Sequence, residues 1–137
     1  MRNFPPAGAA GHMSEGSIAV EYAIVLPLLL LFVLGLIDTG RVLWSYTTLS
    51  RAVVAASRCA SVNTTACGTA ANVQAYAASQ AWGMGLAASA FTVTVAACGM
   101  QVRGTMAFAY ITPWFYIAAP FGVGNTLSLS ATACYPS

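Results

Sequence analysis

Apolar residues run from Ile18 to Ile37 with a single charged interruption, Glu21. At 1.5 Å of rise per residue, a helix of that length spans about 30 Å, the thickness of a bilayer's hydrocarbon core. Pro27 falls inside the run, where neighbouring groups in a membrane helix can take over the freed carbonyl. The helical pattern continues beyond it. Val42, Tyr46, Leu49, Val53, Ala56 and Ala60 recur at spacings of four and three, which makes one apolar stripe, while Arg51 and Arg58 share another face. One long helix over residues 17–61 is therefore predicted. A turn follows at 63–68, then a second helix over 70–84 that Gly83 and Gly85 end.

The remainder alternates. Phe91, Val93 and Val95 interleave with Thr92 and Thr94. Met100, Val102, Met106, Phe108 and Tyr110 share one parity, with Gln101, Arg103 and Thr105 on the other; Leu127 and Leu129 interleave with Ser128 and Ser130. Three half-buried strands predict a small antiparallel sheet with one face on the helix. The apolar stretch between the last two strands, 113–120, packs on the core or forms a contact surface. The fold class is α+β: a long N-terminal transmembrane helix continuing into an amphipathic helix, then a short helix and a sheet of about three strands.

Composition narrows the function. The 137 residues are 58% hydrophobic and 6% charged, against about 25% charged in soluble domains. A net charge of +2 without lysine or a basic cluster gives no nucleic-acid footprint. After Asp38 there is no Asp, Glu, His or Lys, and the one histidine is His12. General acid–base and nucleophilic catalysis need such groups within hydrogen-bond reach of the reacting atoms. The expectation is a protein that is not an enzyme, with no cofactor and no small-molecule substrate.

The apolar run is long for a signal-peptide core, and no small-x-small cleavage site follows it, so it reads as a retained anchor. Glu21 is costly there: a charge at hydrocarbon depth costs about 2.5–3.5 kcal/mol, and such residues are usually functional. Asp38 and Arg41, three apart, are expected to pair at the water boundary, where Trp44 and Tyr46 suit interfacial aromatic positions. Arg41, Arg51 and Arg58 after the anchor argue for a cytoplasmic C-terminal part. The four cysteines, Cys59, Cys67, Cys98 and Cys134, all follow the anchor too, and an even number suits disulfides in an oxidising compartment. Cys98 and Cys134 each share parity with the polar side of their strands, so both thiols fall on the less apolar face. Cys59–Cys67 with Cys98–Cys134 is favoured among the three connectivities. Zinc is not: no short Cys-x-x-Cys pair occurs, and no histidine lies nearby.

Gly16 followed by Glu21-Tyr22 and the apolar helix resembles the prepilin-peptidase motif of type IV pilins and pseudopilins. The Glu-Tyr form resembles the tight-adherence (Tad, Flp) branch. Ala19-Val20-Glu21-Tyr22-Ala23-Ile24-Val25-Leu26-Pro27-Leu28-Leu29-Leu30 followed by Gly35-Leu36-Ile37-Asp38-Thr39-Gly40-Arg41 is similar to the signature of TadE-like proteins. The resemblance implies a leader at 1–16, a transmembrane helix at 17–38 and an extracytoplasmic α+β domain at 39–137. A prepilin peptidase would cut between Gly16 and Ser17, and Glu21, with Tyr22 beside it, would serve subunit assembly by pairing with a neighbour's terminal amine. The implied protein is a single-pass inner-membrane pseudopilin of Tad pilus assembly, its N-terminus cytoplasmic and its C-terminal domain periplasmic. Its partners would be the peptidase, other pilin or pseudopilin subunits and the assembly platform. The alternative is a non-polymerising bitopic envelope protein with a disulfide-bonded, partner-binding domain.

Overall fold

In the computed structural model, residues 12–112 and 126–136 are described, with side chains from residue 18 onward. The leader residues 1–11 and the 113–120 stretch lie outside them. Contacts divide the chain into two units, Met1–Leu36 and Ile37–Ser137.

The first unit is helical throughout its described part, as the start of α1 (His12–Val62). Leucine is its commonest residue, followed by valine, and the helix is continuous through Pro27. Proline has no N–H, so the carbonyl of Ala23 loses its partner within the helix. Nearly every large side chain here is exposed, on all sides of the helix. A helix apolar all round, with none of the described residues covering it, is the kind that spans a bilayer or packs among other helices. The window fits a single-pass membrane protein.

The second unit is the α+β part. The rest of α1 is followed by α2 (Thr64–Cys67), α3 (Ala70–Gln80), a 3₁₀ turn at Ala88–Ala90, and strands β1 (Phe91–Ala96), β2 (Gly99–Ala109) and β3 (Thr126–Tyr135). The segment predicted as a plain turn, 63–68, contains a helical turn instead. Asn63 caps it: its side chain accepts from the Ala66 N–H at 3.0 Å. Thr69 caps α3 in the same way, accepting from the Asn72 N–H at 3.2 Å. The second helix is also shorter than the predicted 70–84. It stops at Gln80, because Gly83 and Gly85 take φ of 80° and 61° and hold a turn rather than a helix.

The sheet is antiparallel in the order β1-β2-β3. Phe91 stands opposite Gly104, Gly104 opposite Ala131, and Met106 opposite Leu129. One parity faces inward: Phe91, Val102, Phe108, Leu129 and Ala131 are buried with Leu49, Ala52, Val53 and Ala56 of α1 and Val73 and Ala77 of α3. The other face carries Arg103, Thr105, Ser128, Ser130 and Thr132, all exposed. Of the predicted stripe on α1, Tyr46 is 47% exposed and Ser45 is buried instead, and the buried face is wider than predicted, taking in Thr48, Ala52 and Ser57 as well. Ser45 lines a small open cavity together with Met84, Met106 and Phe108.

Helix and sheet approach each other closely at Gly104. A Cβ there would lie 2.8 Å from Leu49 Cδ1 and 2.9 Å from Phe91 Cε1, both fully buried side chains. Gly104→Val is therefore expected to destabilise the chain by about 1–3 kcal/mol, the usual range for overpacking. Urea unfolding of the detergent-solubilised protein reads this out as a lowered midpoint at unchanged slope.

Both disulfides are formed. Cys59–Cys67 joins the end of α1 to α2, with Cα atoms 5.8 Å apart. Cys98–Cys134 has a Cα separation of 6.1 Å. Cys98 sits in the two-residue β1–β2 turn rather than on a strand, since Ala96 pairs with Gly99. Cys134, opposite Gln101, occupies the outer parity of β3.

Candidate functional site

Glu21 is the one charged residue in the exposed apolar part of α1. Ile18, Tyr22 and Val25 surround it at helical spacings and form a shallow groove with it. Its carboxylate is exposed and makes no hydrogen bond or ion pair with another described residue. Tyr22 is exposed as well. The Gly16–Ser17 peptide lies in the helical backbone of α1, four residues before Glu21. That spacing is one helical turn, so a group at Ser17 and the Glu21 side chain share a face. The structure thus presents a carboxylate with no partner among the described residues, one helical turn from the Gly16–Ser17 peptide.

Asp38 has a different environment. It is buried, and its carboxylate gathers donors from a segment far away in sequence. The N–H of Thr112 donates to Oδ2 at 2.8 Å and the N–H of Ile111 at 3.1 Å. The Thr112 hydroxyl also donates to Oδ2. Arg41 Nη1 donates to Oδ1 at 2.9 Å, and the guanidinium lies over the Phe108 ring, 4.9 Å from its centroid. The Asp38–Arg41 pair is present, but it is the smaller part of what Asp38 does. The carboxylate fixes the chain just after β2 leaves the sheet to a point one residue inside the second unit. Sequence reasoning missed those partners. The available signal was the core stripe itself: stepping back four residues from Val42 reaches Asp38.

Trp44, expected at an interfacial position, is exposed. Its ring meets that of Trp82, also exposed, edge to face at 5.8 Å. Among the described residues, no group of three or more His, Cys, Asp or Glu side chains is arranged to hold a metal.

Residues 16–58 match a family model described as TadE-like protein. The match begins at Gly16 and takes in Glu21, Tyr22, the apolar run, Asp38, Arg41 and most of the core stripe of α1. It ends before the first cysteine, so the sheet and both disulfides lie beyond it. No curated protein and no solved structure matches the chain.

Proposed function

We propose that this chain, TadE-like over residues 16–58, is an inner-membrane pseudopilin of Tad pilus assembly, matured by a prepilin peptidase between Gly16 and Ser17. The family association supports a Tad pilus-associated membrane protein; the subunit role and the processing are our reading. The observation that carries it is Glu21, a carboxylate without a partner among the described residues, on an otherwise apolar helix that none of them covers. Such a charge is tolerable in an assembled state only if another chain supplies a cation. Cutting before Ser17 creates that cation, an α-ammonium. It also leaves Glu21 near the new helix N-terminus, where the dipole favours a negative charge. The ammonium of one subunit then pairs with Glu21 of its neighbour, while the surrounding apolar side chains exclude water.

In this reading the apolar run 18–37 of the transmembrane helix lies in lipid, Asp38 ends that span at the water boundary beyond the hydrocarbon, and the disulfide-bonded unit is extracytoplasmic. Disulfides persist in oxidising compartments, which favours that orientation over the one drawn from the arginine count. The remaining partners are the assembly platform and other pilin-like subunits.

Glu21→Ala tests the subunit role. The expected outcome is loss of pilus assembly with normal levels of the membrane-inserted chain, because the alanine variant inserts at least as readily. Normal piliation by Glu21→Ala would favour a non-polymerising bitopic envelope protein.

A further inference from the structure

The face of α1 that points away from the core, in the second unit, is both apolar and basic. Arg51, Val54, Arg58 and Val62 recur at spacings of three and four, opposite the buried Leu49, Val53 and Ala56. With Tyr76 of α3 they line an open groove of about 630 Å³. Val54 and Val62 are 53% and 68% exposed. Arg51 and Arg58 are exposed, and neither makes an ion pair or hydrogen bond with another described residue. An apolar strip carrying two unpaired guanidiniums, about 10 Å apart along the axis, has the form of one half of a helix-in-groove contact.

Charge identifies the occupant. No Asp or Glu follows Asp38 in the sequence, and Asp38 is itself buried and fully engaged. A second copy of this unit therefore brings only more arginine to the groove. A lipid surface is also a poor fit. Arg51 and Arg58 lie about 20 and 30 Å of helix beyond Ile37, whereas the headgroup layer is only about 5–8 Å deep. We propose that the groove binds an amphipathic helix of a different protein, one that carries two carboxylates about a heptad apart beside apolar residues. The carboxylates would pair with Arg51 and Arg58, and the apolar side chains would cover Val54, Val62 and Tyr76. The argument rests on the charge and geometry of this face and does not depend on the pilus reading.

The test places a photo-crosslinking amino acid at Val54 of the full chain in its native cells. The expected product joins the chain to a segment of another protein with carboxylates about seven residues apart. Arg51→Glu with Arg58→Glu should lower its yield about tenfold or more. Exchanging the partner's two carboxylates for arginine should restore it. Arg51→Gln with Arg58→Gln, a milder change at exposed positions, should also lower the yield, and non-reducing peptide mapping checks that both variants keep their disulfides. Several results would overturn the proposal: a crosslink to a second copy, to lipid or to a segment without carboxylates, one insensitive to both variants, or none at all. Leader processing and piliation are scored in the same cells. An acidic-helix crosslink on an uncut, non-assembling chain would uphold the groove and reject the pseudopilin reading.

Discussion

Asp38→Ala is expected to destabilise the folded unit by about 2–4 kcal/mol, and Arg41→Ala by about 1 kcal/mol or less. The two residues form one ion pair, but they do not contribute equally. The Asp38 carboxylate accepts from the N–H groups of Ile111 and Thr112 and from the Thr112 hydroxyl, and Thr112 is itself buried. Removing it leaves those donors without an acceptor, at about 1–3 kcal/mol for each one that water does not reach. Removing Arg41 takes away one bond from a side chain that is 42% exposed, together with its contact on Phe108. Urea unfolding of the two variants in detergent measures the difference; equal losses would mean that the ion pair, not the anchoring of 111–112, is what matters.

The same arrangement sets a dependence on pH. Burial alone would raise the Asp38 pKa. The hydrogen bonds from the Thr112 hydroxyl and amide, the Ile111 amide and Arg41 outweigh it and lower the value from about 3.8 to about 2. A depressed carboxyl pKa gives stability that is fully present above the unfolded value and is lost as pH falls through the folded one. Stability should therefore be insensitive to this group between pH 5 and pH 8, and its contribution should decline between about 3.8 and about 2. Asp38→Ala should lack that decline.

Loss of Cys98–Cys134 should cost about 4 kcal/mol and loss of Cys59–Cys67 about 2.5 kcal/mol, on the chain-entropy account of loop closure. The difference comes from sequence separations of 36 and 8 residues. The longer bridge constrains more of the unfolded chain. In the native state it ties the β1–β2 turn to β3, which is otherwise held in the sheet by its pairing with β2 alone. Cys98→Ser with Cys134→Ser should therefore lower the urea midpoint more than Cys59→Ser with Cys67→Ser. The reverse order would show that the short bridge, at the junction of α1 and α2, stores more than loop entropy.

Much of this fold is legible in the order of apolar and polar residues. Period-two alternation in 91–95, 100–110 and 127–130 gives three strands and their inward faces. The favoured disulfide pairs form, but the strand parity invoked for Cys98 does not apply, because Cys98 lies in the β1–β2 turn. What escapes the sequence has physical causes. Tyr46 and Ser45 both satisfy a spacing of three or four from Val42 and Leu49, so the local pattern does not decide between them; in the fold Ser45 is buried and Tyr46 is 47% exposed. The end of α3 depends on positive φ at Gly83 and Gly85, which also permit the longer helix at modest cost. The anchoring role of Asp38 depends on amides 73 and 74 residues away, beyond the reach of any local pattern. At the candidate site, sequence points to Gly16, Ser17, Glu21 and Tyr22 through a motif. The structure adds the absence of any partner for Glu21 among the described residues.

The central claim is that the chain is a substrate cut to expose a cation for Glu21. It is tested most directly by the N-terminal sequence and intact mass of the membrane-extracted protein, from cells with and without an active prepilin peptidase. The expected result is a chain that begins at Ser17 only when the peptidase is present. An N-terminus still upstream of Gly16, in cells whose peptidase processes a co-expressed pilin, would contradict it.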